Sequence, residues 1–103
     1  MKNLSPIAAA LLLTGLCTAT LAAETITVKR ATYRADQSYA CDATTKVKEI
    51  CQNKESCTVA ADNNLCGDPK FGTPKKLIVE FSCGKNGKSQ RADENTDLSI
   101  ACD

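Results

Sequence analysis

Apolar and polar residues alternate most regularly between Lys76 and Cys83. Leu77, Val79, Phe81 and Cys83 fall on one face, and Ile78, Glu80 and Ser82 on the other. A period of two marks a β-strand with one face buried. Ile26 and Val28 repeat the pattern, with Thr25, Thr27 and Lys29 opposite, and predict a strand over 25–33. Residues 57–60 read as a short strand, and Leu98, Ile100 and Cys102 predict another near the C-terminus. The period changes after Asp42. Val47, Ile50 and Cys51 recur at helical spacing, while Lys46, Lys48 and Glu49 point elsewhere. This predicts a short helix with Asp42 as its cap and Asn53-Lys54 as its closing turn.

Three stretches carry no such pattern. Residues 36–40 are polar and loop-like. Residues 62–74, rich in Asn, Gly and Pro, predict a long loop. Residues 84–95 are polar, include Gly84 and Gly87, and predict a mobile connection. The fold class expected is α+β: a mainly antiparallel β-sheet domain with one short helix and long ordered loops. No internal repeat or dividing linker interrupts it.

The first 23 residues change the length available to that domain. Met1-Lys2-Asn3 is basic, Ile7 to Leu16 is mostly apolar, and small residues from Thr18 to Ala23 precede the first acidic residue, Glu24. This is the layout of a signal peptide, cut after Ala22 or Ala23. The run is shorter than the roughly 20 residues of a membrane span. Cys17 invites a lipoprotein reading, but Leu16 is bulky where a small residue is wanted. The expected division is 1–23 leader and 24–103 domain, in a secreted or periplasmic protein, and the style of the leader points to a bacterium. No other segment suggests a membrane anchor.

About 80 residues remain, few enough that a core needs staples. Tyr33, Tyr39, Phe71 and Phe81 are its only aromatic residues, and the chain has no tryptophan. The staples are at hand in Cys41, Cys51, Cys57, Cys66, Cys83 and Cys102. An even count behind an export signal reads as a disulfide framework, and each bridge adds about 2–4 kcal/mol. The count alone leaves many pairings open. Zinc is the rival reading. It is disfavoured by five residues between Cys51 and Cys57, by the absence of histidine and by the oxidising compartment.

Charge and residue types narrow the chemistry. The net charge is +1, and Lys2 lies in the leader, so the domain is balanced and has little electrostatic basis for nucleic acid. Without histidine the commonest general base is missing. Paired cysteines supply no thiolate. The spacing of Asp62, Asp68, Glu80 and Glu94 singles out no glycosidase pair. The composition therefore suits a non-enzymatic binding module, or an inhibitor or structural protein, with no cofactor.

A longer motif set carries a family resemblance. Residues 54–63 read Lys-Glu-Ser-Cys-Thr-Val-Ala-Ala-Asp-Asn. Gly67-Asp68-Pro69 follows, and then Gly72-Thr73-Pro74-Lys75-Lys76-Leu77 runs on through Ile78 to Cys83. Over about residues 25–83 this order resembles the rhamnose- or galactose-binding lectin domain first described in sea urchin eggs, the SUEL-type domain. Ala31-Thr32-Tyr33-Arg34 stands for the family's Tyr-Gly-Arg, without its glycine. Asp68-Pro69-Lys70 stands for Asp-Pro-Cys, and Lys75-Lys76-Leu77 for Lys-Tyr-Leu.

The resemblance implies a SUEL-lectin-like fold and a carbohydrate partner of the rhamnose or galactose type. Its sugar-binding positions carry over to Glu94, Tyr33, Arg34, Asn63, Asp68 and Lys75. It implies the bridges Cys51–Cys57 and Cys83–Cys102, which leaves Cys41–Cys66, a bridge without counterpart in the family. The segment from Glu94 to Cys102 resembles the family's first strand. That similarity implies a circular permutation in which 98–102 pairs beside 25–33 or 76–83.

Each site residue also has a plainer reading. Asp68-Pro69 shapes a turn, and Asn63 and Asn64 form a loop. Lys75 and Lys76 are solvated charges at a strand edge. Tyr33 is a half-buried strand residue and Glu94 ordinary surface. Arg34, where glycine is expected, fills the pocket or changes its ligand. The alternative function is an exported protein-binding or inhibitor-type domain that keeps the fold without a sugar site.

Overall fold

The computed structural model describes residues 23–102. The leader and Cys17 readings fall outside the described residues. The elements follow as β1 (Ile26–Asp36), β2 (Tyr39–Asp42), α1 (Thr44–Cys51), β3 (Ser56–Ala60), β4 (Lys76–Cys83), β5 (Asn86–Asp93) and β6 (Asp97–Ala101). Strands β2-β1-β4-β5 form one antiparallel sheet and β3-β6 a second. This is the mainly antiparallel α+β architecture that the alternation predicted.

Strand β1 runs further than its pattern suggested because its apolar positions change parity. Ile26 and Val28 are buried, and then Ala31 and Tyr33. A bulge between Val28 and Arg30 makes the switch, since one extra residue turns the following side chains to the other face. Val28 N–H donates to Gln52 Oε1 (2.8 Å) and Ala31 N–H to Thr44 Oγ1 (3.0 Å). Side chains from the two ends of the helical segment thus satisfy donors on β1 and fasten α1 beside it.

Helix α1 buries Val47 and Cys51, as its spacing required. Ala43 occupies the cap position, and Asp42 acts one residue earlier, its Oδ1 accepting from Thr44 N–H (2.9 Å). After the helix, Asn53 adopts a φ of 66°, a left-handed conformation that asparagine tolerates better than most residues.

Two expectations are corrected. Residues 84–95 are not a mobile connection: β5 pairs with β4 along its whole length, from Cys83↔Asn86 to Lys76↔Asp93. It is an edge strand exposed on both faces apart from half-buried Ala92. Lacking a buried face, it has no alternation to read, and its order comes from backbone hydrogen bonds. The last strand also lies elsewhere. It pairs with β3, from Ser56↔Ala101 to Ala60↔Asp97, and not beside 25–33 or 76–83. Strand β4 already stands between β1 and β5, and β1 is flanked by β4 on one side and by β2 and the helical segment on the other. The pairing on which the permutation rested is therefore absent, and the permutation is not carried further.

One core joins the two sheets and the helix. Tyr33, Phe81, Ile26, Leu77, Ile100, Val47 and Val59 are its largest buried side chains. All six cysteines between Cys41 and Cys102 are in bridges, Cys41–Cys66, Cys51–Cys57 and Cys83–Cys102, with Cα separations of 5.8, 5.3 and 5.6 Å. No sulfur of the set is left for zinc. Among the described residues no helix is long and apolar enough to cross a membrane.

Candidate functional site

The register of the large sheet brings three strand ends together. Arg34 near the end of β1 faces Lys76 at the start of β4, which faces Asp93 at the end of β5. Tyr33, Lys75 and Glu94 are the neighbours of these residues in the chain. The loop between β3 and β4, residues 61–75, folds over the same end and contributes Asn63 and Asp68.

Lys75 is the centre of the arrangement. Its side chain is 3% exposed, yet it carries a charge. A buried ammonium needs partners for its charge and its protons. Nζ donates to Asp68 Oδ1 (2.6 Å), Thr73 O (2.9 Å) and Lys70 O (3.2 Å), and lies 3.5 Å from Glu94 Oε1. The hydrogen bond to Asp68 is the main cause that raises the ammonium above the usual lysine range. The Lys75 backbone joins in: its N–H donates to Glu94 Oε1 (3.0 Å), and its carbonyl accepts from Glu94 N–H (2.8 Å). Lys75 thus spends its protons on the protein and fixes both carboxylates. Of the two plain lysine readings, the solvated one holds for Lys76, which is exposed and pairs with Asp93.

Tyr33 lies beneath, fully buried, and its hydroxyl donates to Asn63 Oδ1 (2.9 Å). Burial first, and then the Glu94 carboxylate with further help from Asp62 and Asp68, pushes the phenol up to about 12. With Oδ1 accepting, the Asn63 side chain has its two N–H donors left for the cleft. Asp68 and Glu94 keep acceptor capacity, since a carboxylate takes about four hydrogen bonds.

Asn63, Asp68, Lys75 and Glu94 therefore line one open cleft of about 450 Å³, together with Phe71, Gly72, Thr73, Pro74 and Asn95. Tyr33 supports it from below. Arg34 does not line it. It follows Tyr33 on β1, and successive strand residues point to opposite faces. The arrangement gathers an amide donor and two carboxylate acceptors in one open depression. That set matches adjacent hydroxyl groups, which both donate and accept.

The loop that bears Asn63 and Asp68 is tied to β2 twice. Cys66 is bridged to Cys41, and the Lys70 ammonium stands over the Tyr39 ring, 4.4 Å from its centre.

Phe71 was not among the candidates. It is 92% exposed at the rim of the cleft. The signal was available: an aromatic residue between Lys70 and Gly72, inside a loop rich in Gly and Pro and away from any alternating run, is not a core position.

The chain is similar to several rhamnose-binding lectins and to a D-galactoside-specific lectin. An L-rhamnose-binding lectin of Echinometra lucunter, ELEL-1, is 41% identical over 46 residues, 45% of this chain and 45% of its own. A D-galactoside-specific lectin of Heliocidaris crassispina is 49% identical over 37 residues, 36% of this chain and 35% of its own. A rhamnose-binding lectin of Silurus asotus is 45% identical over 47 residues, 46% of this chain and 15% of its own. The aligned part thus spans less than half the length of each of these relatives. No family model matches the chain, and no solved structure matches it.

Proposed function

We propose that this chain is an exported, non-enzymatic lectin-like domain that holds adjacent hydroxyls of a rhamnose- or galactose-type sugar in the cleft of Asn63, Asp68 and Glu94. The observation that carries the reading is the convergence of those three side chains on one cleft, Asn63 held by Tyr33 and the two carboxylates by Lys75, whose protons are already spent on protein acceptors. Asn63 donates to sugar oxygens, Asp68 and Glu94 accept from hydroxyls, and Lys75 and Tyr33 position them. Arg34 stands outside the cleft and takes no part.

The similarity to rhamnose-binding and galactoside-specific lectins supports the choice of sugar. The three bridges fit an oxidising compartment. Together with a leader at 1–23 and a domain at 24–103, they support a secreted or periplasmic protein, bacterial by the style of the leader. Hydrogen bonds to a sugar replace bonds to water, so each adds little. Binding of one sugar is expected at about 4–6 kcal/mol, roughly millimolar to tens of micromolar.

A glycan array tests the reading. Retention of rhamnose- or galactose-terminated glycans, lost in Asn63→Ala, supports it. A folded protein that retains no glycan contradicts it and favours a protein partner.

A further inference from the structure

The residue left over from the site is Phe71, and its setting is specific. Thr73 N–H donates to Lys70 O (3.2 Å), which closes a turn over Lys70-Phe71-Gly72-Thr73. Gly72 takes a φ of +76°, as the third residue of a type II turn requires. The carbonyls at both ends of the turn, of Lys70 and Thr73, accept from the buried Lys75 ammonium. A loop residue that is 92% exposed is thus mounted on a turn clamped at each end to the group that also holds Asp68 and Glu94. Pro69 and Pro74 flank the turn and stiffen it further.

A large apolar ring gains nothing by standing in water. A single exposed apolar side chain is ordinary on a protein surface; what sets this ring apart is its rigid mounting in the lining of a polar cleft, where its face is open to contact. The floor and the rim also differ in kind. The floor offers one amide and two carboxylates, and the ring offers an apolar face with no hydrogen-bonding capacity. A sugar bound by its hydroxyls on the floor uses the first. The second matches the face of a pyranose that carries axial C–H groups.

We propose that Phe71 is the platform of a second subsite, which stacks on the sugar unit next to the one held by Asn63, Asp68 and Glu94. The ligand class is therefore a glycan of at least two units. This rests on the lectin reading and deepens it. Because the turn and the carboxylates share Lys75, both subsites are set in place before any ligand arrives, and the second unit adds affinity without ordering a loop.

The test compares one sugar with two. Methyl α-L-rhamnoside and an α-L-rhamnosyl disaccharide are titrated into the wild-type chain, Phe71→Ala and Phe71→Trp, with the corresponding galactosides in parallel. The wild type is expected to bind the disaccharide about tenfold more tightly than the methyl glycoside. In Phe71→Ala that ratio falls to about one, and in Phe71→Trp it persists. Phe71 ring resonances shift with the disaccharide; Phe81 is buried and serves as the internal reference. Equal affinity for the two ligands in the wild type, or an unchanged ratio in Phe71→Ala, overturns the proposal while leaving the lectin reading standing. If neither the methyl glycoside nor the disaccharide binds the folded wild type, both fall together.

Discussion

The Lys75 ammonium lies 2.6 Å from Asp68 Oδ1 while its side chain is almost wholly withdrawn from solvent. Six residues lie between the two in the chain. Lys75 leads into the central strand β4, and Asp68 sits in the loop that precedes it. The pair therefore fastens a loop to the sheet, and Glu94 at 3.5 Å adds the turn after β5. A charge in such a place is matched on every side, so removing it leaves two carboxylates crowded together without compensation.

Lys75→Met keeps the length of the side chain and removes the charge. It is expected to lower Tm and to weaken sugar binding by about tenfold or more, as loss of a buried charge partner does. Thermal unfolding and titration with L-rhamnose check both effects. Lys76→Met, at an exposed neighbour paired with Asp93, is the control and leaves stability nearly unchanged.

Tyr33→Phe removes the hydroxyl that donates to Asn63 and leaves the buried ring in place. A loss of about 1 kcal/mol in stability is expected. Sugar binding weakens severalfold, because Asn63 loses the contact that orients its amide. Denaturant titration measures the first effect and calorimetry the second.

The same phenol sets an alkaline limit. Its folded value, about 12, lies above the ordinary value of 10.0. The protonated form is therefore favoured by folding. The stabilisation is complete below pH 10 and is lost as pH rises through about 12. Lys75 is shifted in the same sense, since its charged form is the one the fold holds, and it adds to the loss at alkaline pH. Unfolding followed between pH 9 and 12 should show stability falling with pH, and Tyr33→Phe should flatten part of the slope. A stability that rises over this range contradicts the assignment.

Replacing Cys41 and Cys66 together by serine opens a bridge with a sequence separation of 25. The cost expected is about 3 kcal/mol. The loop that carries Asn63 and Asp68 then loses its covalent tie to β2 and keeps the Lys70–Tyr39 contact, so hydrogen exchange should increase most in residues 62–74. Exchange spread evenly over the sheet would show that the bridge serves the core and not the loop.

How much of this was legible varies with the physics of each element. Strand β4 was plain because one of its faces is buried throughout, so Leu77, Val79 and Phe81 had to alternate with Ile78 and Glu80. The helix was plain for the same reason at Val47 and Cys51. Strand β5 was hidden because Lys88, Ser89, Gln90 and Arg91 bury no face. Its order rests on pairing with β4, which no local pattern records. The bulge after Val28 broke the period just where β1 continued.

Within the site, Asn63, Asp68, Lys75, Glu94 and Tyr33 were picked out by resemblance, and the structure brings all five to one end of the sheet. What the residues alone did not reveal was the division of labour. Lys75 resembled any surface lysine beside Lys76, and only the acceptors gathered around it, two of them backbone carbonyls, distinguish them. Arg34, taken from the same motif, follows Tyr33 on β1 and is not among the residues that line the cleft. The partner of β6 was also beyond the local pattern, because Leu98 and Ile100 state that a face is buried and not against which strand.

The most direct measurement is a calorimetric titration of L-rhamnose and D-galactose into the folded chain and into Glu94→Gln. Saturable binding of one of the two is expected, at roughly millimolar to tens of micromolar. In Glu94→Gln binding is reduced at least tenfold while the thermal transition is retained. A folded wild type that binds neither sugar, or a Glu94→Gln variant that binds as the wild type does, would contradict the assignment of this cleft.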